Sequence, residues 1–118
     1  MSQKTALIVD DSSLARMLVR KIFVNFKDWT LLEAGNGDDA LAKLDSHSVQ
    51  LAMLDFNMPG MSGIELAEKI IEKKPDTAIY LVTANIQDRM QQRAEAMGIG
   101  FIKKPMEPNK VATILNAL

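Results

Sequence analysis

Cysteine is absent from all 118 residues, which excludes disulfides and thiolate metal sites. Histidine is almost as scarce. The single one, His47, lies in a polar stretch with no partner at metal-ligand spacing, so a surface position is expected. Charge of neither sign dominates: the formal net charge is −1, and Lys and Arg are spread along the chain. A general nucleic-acid binder needs a basic face, so no nucleic-acid partner is expected. No apolar stretch approaches the length of a membrane span. The opening Met-Ser-Gln-Lys-Thr runs directly into a strand-like segment and does not look like a secretory signal. These absences lead to the expectation of a cytoplasmic location without a membrane partner.

What is present is core. Hydrophobic residues make up 47% of the chain. A chain of this length buries roughly two-thirds of its unfolded surface, so residues 1–118 are expected to form one domain without covalent staples. The apolar pattern alternates between two periods. Leu7–Asp10, Thr30–Ala34, Leu51–Leu54, Ala78–Val82 and Phe101–Lys103 predict short strands. Between them, Ser12–Phe26 predicts a helix whose apolar face stacks Leu14, Leu18 and Ile22 at i+4, with Ala15, Val19, Phe23 and Phe26 beside them. A second helix starts at Asp38 or Asp39 after the Asn36-Gly37 turn and carries Ala40, Leu41 and Leu44. Ser62 and Glu65 form a capping box for a third. Asn85 is expected to cap a fourth, sparsely apolar helix through Met97, and Pro108 suits the first turn of a fifth. Repeated strand–helix alternation with crossover-length helices predicts an α/β fold: a parallel sheet with helices on both faces and right-handed connections.

The chemistry lies at the strand ends. Asp10 and Asp11 follow Ala6-Leu7-Ile8-Val9, and Asp55 follows Leu51-Ala52-Met53-Leu54. In a parallel sheet the C-terminal tips lie side by side, where ligands bind, so three carboxylates should meet in one pocket. At about 4 Å each like-charged pair repels by roughly 1 kcal/mol in water and about 4 kcal/mol at an effective dielectric of 20. Such a cluster needs protons or a cation, and hard oxygen donors suggest Mg²⁺.

Four marks in order, each at a predicted strand end, carry a resemblance. They are Val9-Asp10-Asp11, the stretch from Asp55 through Asn57-Met58-Pro59-Gly60 to Gly63, Thr83-Ala84, and Lys104-Pro105. Over essentially its whole length the sequence resembles the receiver domains of two-component response regulators, close to the single-domain chemotaxis type. The resemblance implies a flavodoxin-like (βα)5 three-layer sandwich with strand order 2-1-3-4-5. It implies that Asp55 accepts a phosphoryl group from a histidine kinase or a histidine phosphotransfer protein. Asp11 would bind Mg²⁺ directly and Asp10 through water, with Asp55 and the backbone carbonyl of Asn57 completing the protein ligands. Lys104, followed by a cis proline, would pair with Asp55. Neighbouring Lys103 would point the other way on an alternating strand. Thr83 and the backbone of Ala84 would face the phosphoryl group. Phe101 holds the place of the switch aromatic, where the family often has tyrosine, and Asn85 a place that influences phosphoryl lifetime. The protein would be no enzyme but a switch, a monomer or weak dimer, that catalyses its own phosphotransfer and dephosphorylation. A target would read the face formed by the fourth helix, fifth strand and fifth helix.

Plainer readings exist for single residues. Asp55 could simply cap a loop, Thr83 end a strand and Phe101 fill the core. Two other functions fit the fold less well. Haloacid-dehalogenase-type enzymes carry a second aspartate two residues after the nucleophile, where this chain has Asn57, which cannot shuttle protons. A flavin carrier needs a Ser/Thr/Gly-rich phosphate loop after the first strand, where Asp10-Asp11 would repel the phosphate.

Overall fold

The computed structural model describes residues 3–118. Five strands, β1 (Lys4–Val9), β2 (Trp29–Ala34), β3 (Leu51–Asp55), β4 (Ala78–Thr83) and β5 (Gly100–Lys103), alternate with five helices. The helices are α1 (Ser13–Phe23), α2 (Gly37–Ser46), α3 (Gly63–Lys73), α4 (Asp88–Met97) and α5 (Pro108–Ala117). The strands pair in parallel in the order β2-β1-β3-β4-β5. This is the flavodoxin-like arrangement, with the reversal of order lying between β1 and β3.

Side-chain alternation sorts the core into two layers. Leu7, Val9, Ala52, Leu54 and Leu81 face α2, α3 and α4, which contribute Ala40, Leu44, Leu66, Ile70 and Ala94. Ala6, Ile8, Leu51, Met53 and Val82 face α1 and α5, which contribute Val19, Ile22, Phe23, Val111 and Leu115. The central strand β3 is buried along its full length, as a strand covered on both faces must be.

The helix ends follow capping chemistry. Ser12 accepts from the Ala15 N–H at 3.2 Å and starts α1. Ser62 and Glu65 exchange the two bonds of the capping box at α3. Two expectations about helix starts are corrected. Asn36 is a cap and Gly37 the first residue of α2, because the Asn36 side chain takes the Asp39 N–H at 2.8 Å. Asn85 caps nothing: α4 begins at Asp88 after Gln87, and the Asn85 backbone is engaged with Thr83.

The apolar face of α1 is also corrected. The helix lies on the sheet through Val19, Ile22 and Phe23, while Leu14 and Leu18 stay 60% and 52% exposed. The i, i+4 row of these leucines reaches the sheet only at its C-terminal end, where Ile22 is buried. The helix also stops at Phe23, short of Phe26. Of the sparsely apolar α4, only Ala94 is buried. His47 is exposed. Trp29 is half-buried at the rim, with the Lys4 ammonium 5.7 Å from its ring centroid. Among the described residues no helix is long and apolar enough to cross a membrane.

Candidate functional site

The tips of β1 and β3 bring the three acids together. One carboxylate oxygen from each of Asp10, Asp11 and Asp55 lies within 4.8 Å of the other two. The register explains this: Val9 pairs with Leu54, so Asp10 and Asp55, the residues that follow, lie at one level. Asp10 and Asp55 are buried, whereas Asp11 is exposed. Ser12 supplies the α1 cap, so the Asp11 carboxylate is not taken up by the helix.

Lys104 answers the acids from the tip of β5, across β4. Its Nζ lies 3.0 Å from Asp55 Oδ1 and 3.6 Å from Asp10 Oδ2. The Lys104 N–H donates to the Thr83 carbonyl at 2.8 Å, which ties the end of β5 to the end of β4. The Lys104–Pro105 peptide is cis. Lys103 is exposed, consistent with strand alternation.

One cation does not balance three acids. Burial, with added repulsion from Asp10 and Asp11, raises the Asp55 pKa above the ordinary aspartate value even though Lys104 works to lower it. For Lys104, burial works to lower the pKa, but the hydrogen bond to Asp55 and the charges of Asp10 and Asp55 outweigh it and raise the value. The cluster thus favours an added positive charge. An all-oxygen donor set of this spacing fits a hard divalent ion such as Mg²⁺.

The remaining expected residues ring the same tips. Thr83 is buried, and its hydroxyl donates to the Asn85 carbonyl at 3.0 Å while accepting from the Asn85 N–H at 3.3 Å. Thr83, Ala84, Asn57 and Asn85 line an open cleft of about 430 Å³ bounded by Arg89 and Met90 of α4. Phe101 lies within β5 beside Leu81, half-buried against the α2–α3–α4 layer. A second cleft of about 440 Å³ lies on the other side of Lys104, lined by Asp10, Leu18, Pro105 and Met106.

Two contributors escaped sequence reasoning. Arg16 of α1 donates from Nη1 to the Asp10 backbone carbonyl at 2.6 Å. Glu33 of β2 receives Arg16 Nε at 3.4 Å and both guanidinium donors of Arg20 at 2.7 and 2.9 Å. Sequence alone gives no sign of a side-chain bond to a backbone oxygen, although two arginines one turn apart facing a lone strand glutamate could have raised the question.

Comparison with known proteins agrees with this geometry. Residues 6–116 match the family described as the response regulator receiver domain. The chain is 32% identical to chemotaxis protein CheY of Thermotoga maritima, covering 96% of this chain and 95% of that one. It is 36% identical to the transcriptional regulatory protein ResD of Bacillus subtilis over 95% of this chain but only 46% of ResD, so it spans less than half of that relative. Among solved structures, chemotaxis protein CheY4 of Vibrio cholerae superposes with a TM-score of 0.88 at 26% identity over 98% of both chains. With the acid cluster, its lysine and the strand order in agreement, the chain belongs to the receiver domain family of two-component response regulators.

Proposed function

We propose that this protein is a phosphorylation-driven switch that takes a phosphoryl group on Asp55 from the phosphohistidine of a kinase or phosphotransfer protein. The observation that carries the reading is the pairing of Lys104 Nζ with Asp55 at 3.0 Å inside a cluster of three carboxylates. In the transfer the donor's P–N bond breaks and its electron pair returns to the imidazole. A P–O bond forms to an Asp55 oxygen. A carboxylate does this only if its charge is controlled and the phosphoryl group is held in line. When bound by Asp10, Asp11, Asp55 and the Asn57 carbonyl, Mg²⁺ would neutralise charge on the transferring group.

The chain's own residues do the rest. Lys104 pairs with Asp55 at rest and with a phosphoryl oxygen afterwards. Thr83 exchanges its Asn85 carbonyl for the phosphoryl group, and the Ala84 N–H joins it. The small Ala84 side chain lets the backbone approach. Movement of Thr83 changes the space open to Phe101, and the face made by α4, β5 and α5 shifts between two packings. A target protein reads that face. The cycle ends when water hydrolyses the acyl phosphate in the same site, so the protein acts as a self-resetting switch in the cytoplasm, not a multiple-turnover enzyme. A solved relative supports the scheme: the CheX-CheY-BeF3-Mg+2 complex from Borrelia burgdorferi, 25% identical to this chain with a TM-score of 0.87 over 97% of this chain and 87% of that one.

The test is phosphate incorporation from a radiolabelled acyl phosphate in Mg²⁺. Wild type is expected to take up acid-labile label and Asp55→Asn none, with both folded by circular dichroism. Undiminished labelling of Asp55→Asn overturns the assignment.

A further inference from the structure

Asp10 sits where β1 leaves the sheet. Its N–H still belongs to the ladder, donating to the Ala34 carbonyl at 3.1 Å. Its carbonyl points past the last pairing of β1 with β2 and has no strand partner, and a buried orphan acceptor is costly. The Arg16 guanidinium fills this place, with Nη1 2.6 Å from the oxygen. The same carbonyl belongs to the peptide unit that joins Asp10 to Asp11. That unit is planar, so holding its oxygen also sets the direction in which the chain delivers the Asp11 Cα.

Arg16 is itself held. Its Nε meets Glu33 Oε1 at 3.4 Å, and its side chain is 22% exposed. Glu33 is fixed by the paired bonds from Arg20, and the Glu33 carbonyl accepts from Lys43 of α2. Glu33 lies beside Ile8 in the register, so the brace springs from the neighbouring strand. A guanidinium close to a cation site opposes cation binding by simple Coulomb repulsion. Glu33 meets the Arg16 charge, and the bond to the Asp10 carbonyl is what ties Arg16 to the acid pair.

We infer that Arg16, braced by Glu33, is a positioning residue that orients the Asp10–Asp11 pair for its divalent ion. The inference rests on the Mg²⁺ reading given above. Charge and geometry predict opposite signs, which makes it testable. If Arg16 acts only as a charge, its removal tightens Mg²⁺ binding. If it positions the acids, removal loosens binding, and outer partners of metal ligands typically change affinity by about tenfold or more.

The experiment is calorimetric titration of Mg²⁺ into wild type, R16K, R16A and K21Q, with thermal melts in chelator to establish folding. R16K keeps the charge but loses the planar fork, and about tenfold weaker binding is expected. R16A is expected to weaken binding also. K21Q removes an equal charge from an exposed position of α1 outside the Arg16–Glu33–Arg20 brace, and should bind like wild type. R16K binding like wild type, R16A binding more tightly, or K21Q losing as much as R16K overturns the inference while leaving the metal site standing. Wild-type protein that binds no Mg²⁺ overturns the metal reading and this inference with it. Should R16A fail to fold, R16K against K21Q still decides.

Discussion

Gly63, the first residue of α3, packs so closely on Asp55 that a Cβ at position 63 would lie 2.5 Å from the Asp55 carbonyl oxygen and 3.0 Å from the Phe56 Cα. Both neighbours are backbone and neither can rotate aside. The Gly63 N–H also donates to the Phe56 carbonyl at 3.2 Å. The start of α3 is therefore clamped to the β3 tip that presents Asp55. Gly63→Ala is expected to cost about 1–3 kcal/mol, the usual range for overpacking, and to displace Asp55. Urea denaturation measures the first effect and Mg²⁺ titration the second. A variant of unchanged stability would show that the contact relaxes freely.

Asp55→Asn should stabilise the protein in chelator. Burial and the neighbouring acids hold the Asp55 pKa up, which means that the folded state resists its charge. An amide of the same shape removes that cost. In millimolar Mg²⁺ the order should narrow or reverse, because an ion that binds only the folded state stabilises it by mass action. Paired melts in chelator and in Mg²⁺ check this, and a lower melting point for Asp55→Asn in chelator would contradict it.

Lys104→Met should separate two properties. The ammonium competes with any cation for Asp55 and Asp10, at 3.0 and 3.6 Å. Its loss is expected to tighten Mg²⁺ binding severalfold, a gain of about 1 kcal/mol or more. Phosphoryl uptake from a small acyl phosphate should nonetheless fall, since no point charge remains to meet the phosphoryl oxygen. Titration and labelling measure the two effects independently.

Glu33 gives the acid limb of stability a definite sign. The hydrogen bond from Arg20, opposed by burial and helped by the charges of Arg20 and Arg16, lowers its pKa below the ordinary glutamate value. The unfolded chain then binds more protons than the folded one between the two values. The contribution is complete above the unfolded pKa of about 4.3 and is lost as pH falls through the folded one. Glu33→Gln should be less stable than wild type near neutrality, and the gap should close on acidification. Urea midpoints at a series of pH values report it.

Strand ends, capping boxes and family marks made most of this molecule legible. Asp10, Asp11, Asp55 and Lys104 each stand at the end of a predicted strand, and a parallel sheet leaves those positions one destination. The α1 rows were harder. Leu14 and Leu18 share an i, i+4 row with the buried Ile22, and periodicity does not say how far along a row the contact with the sheet extends. Asn85 had the composition of a cap, but Thr83 bonds its backbone and delays the helix to Asp88. Arg16 was invisible because its partner is a backbone oxygen, and backbone carries no letter.

The two-layer core has a mechanical consequence. Phe101 packs with α2, α3 and α4, while the helix that carries Arg16 belongs to the opposite layer with α5. The sheet stands between them like a bulkhead. Loosening on the Phe101 side can therefore proceed while the scaffold behind Asp10 and Asp11 keeps its shape, and cavity-forming substitutions on opposite sides should sum without coupling.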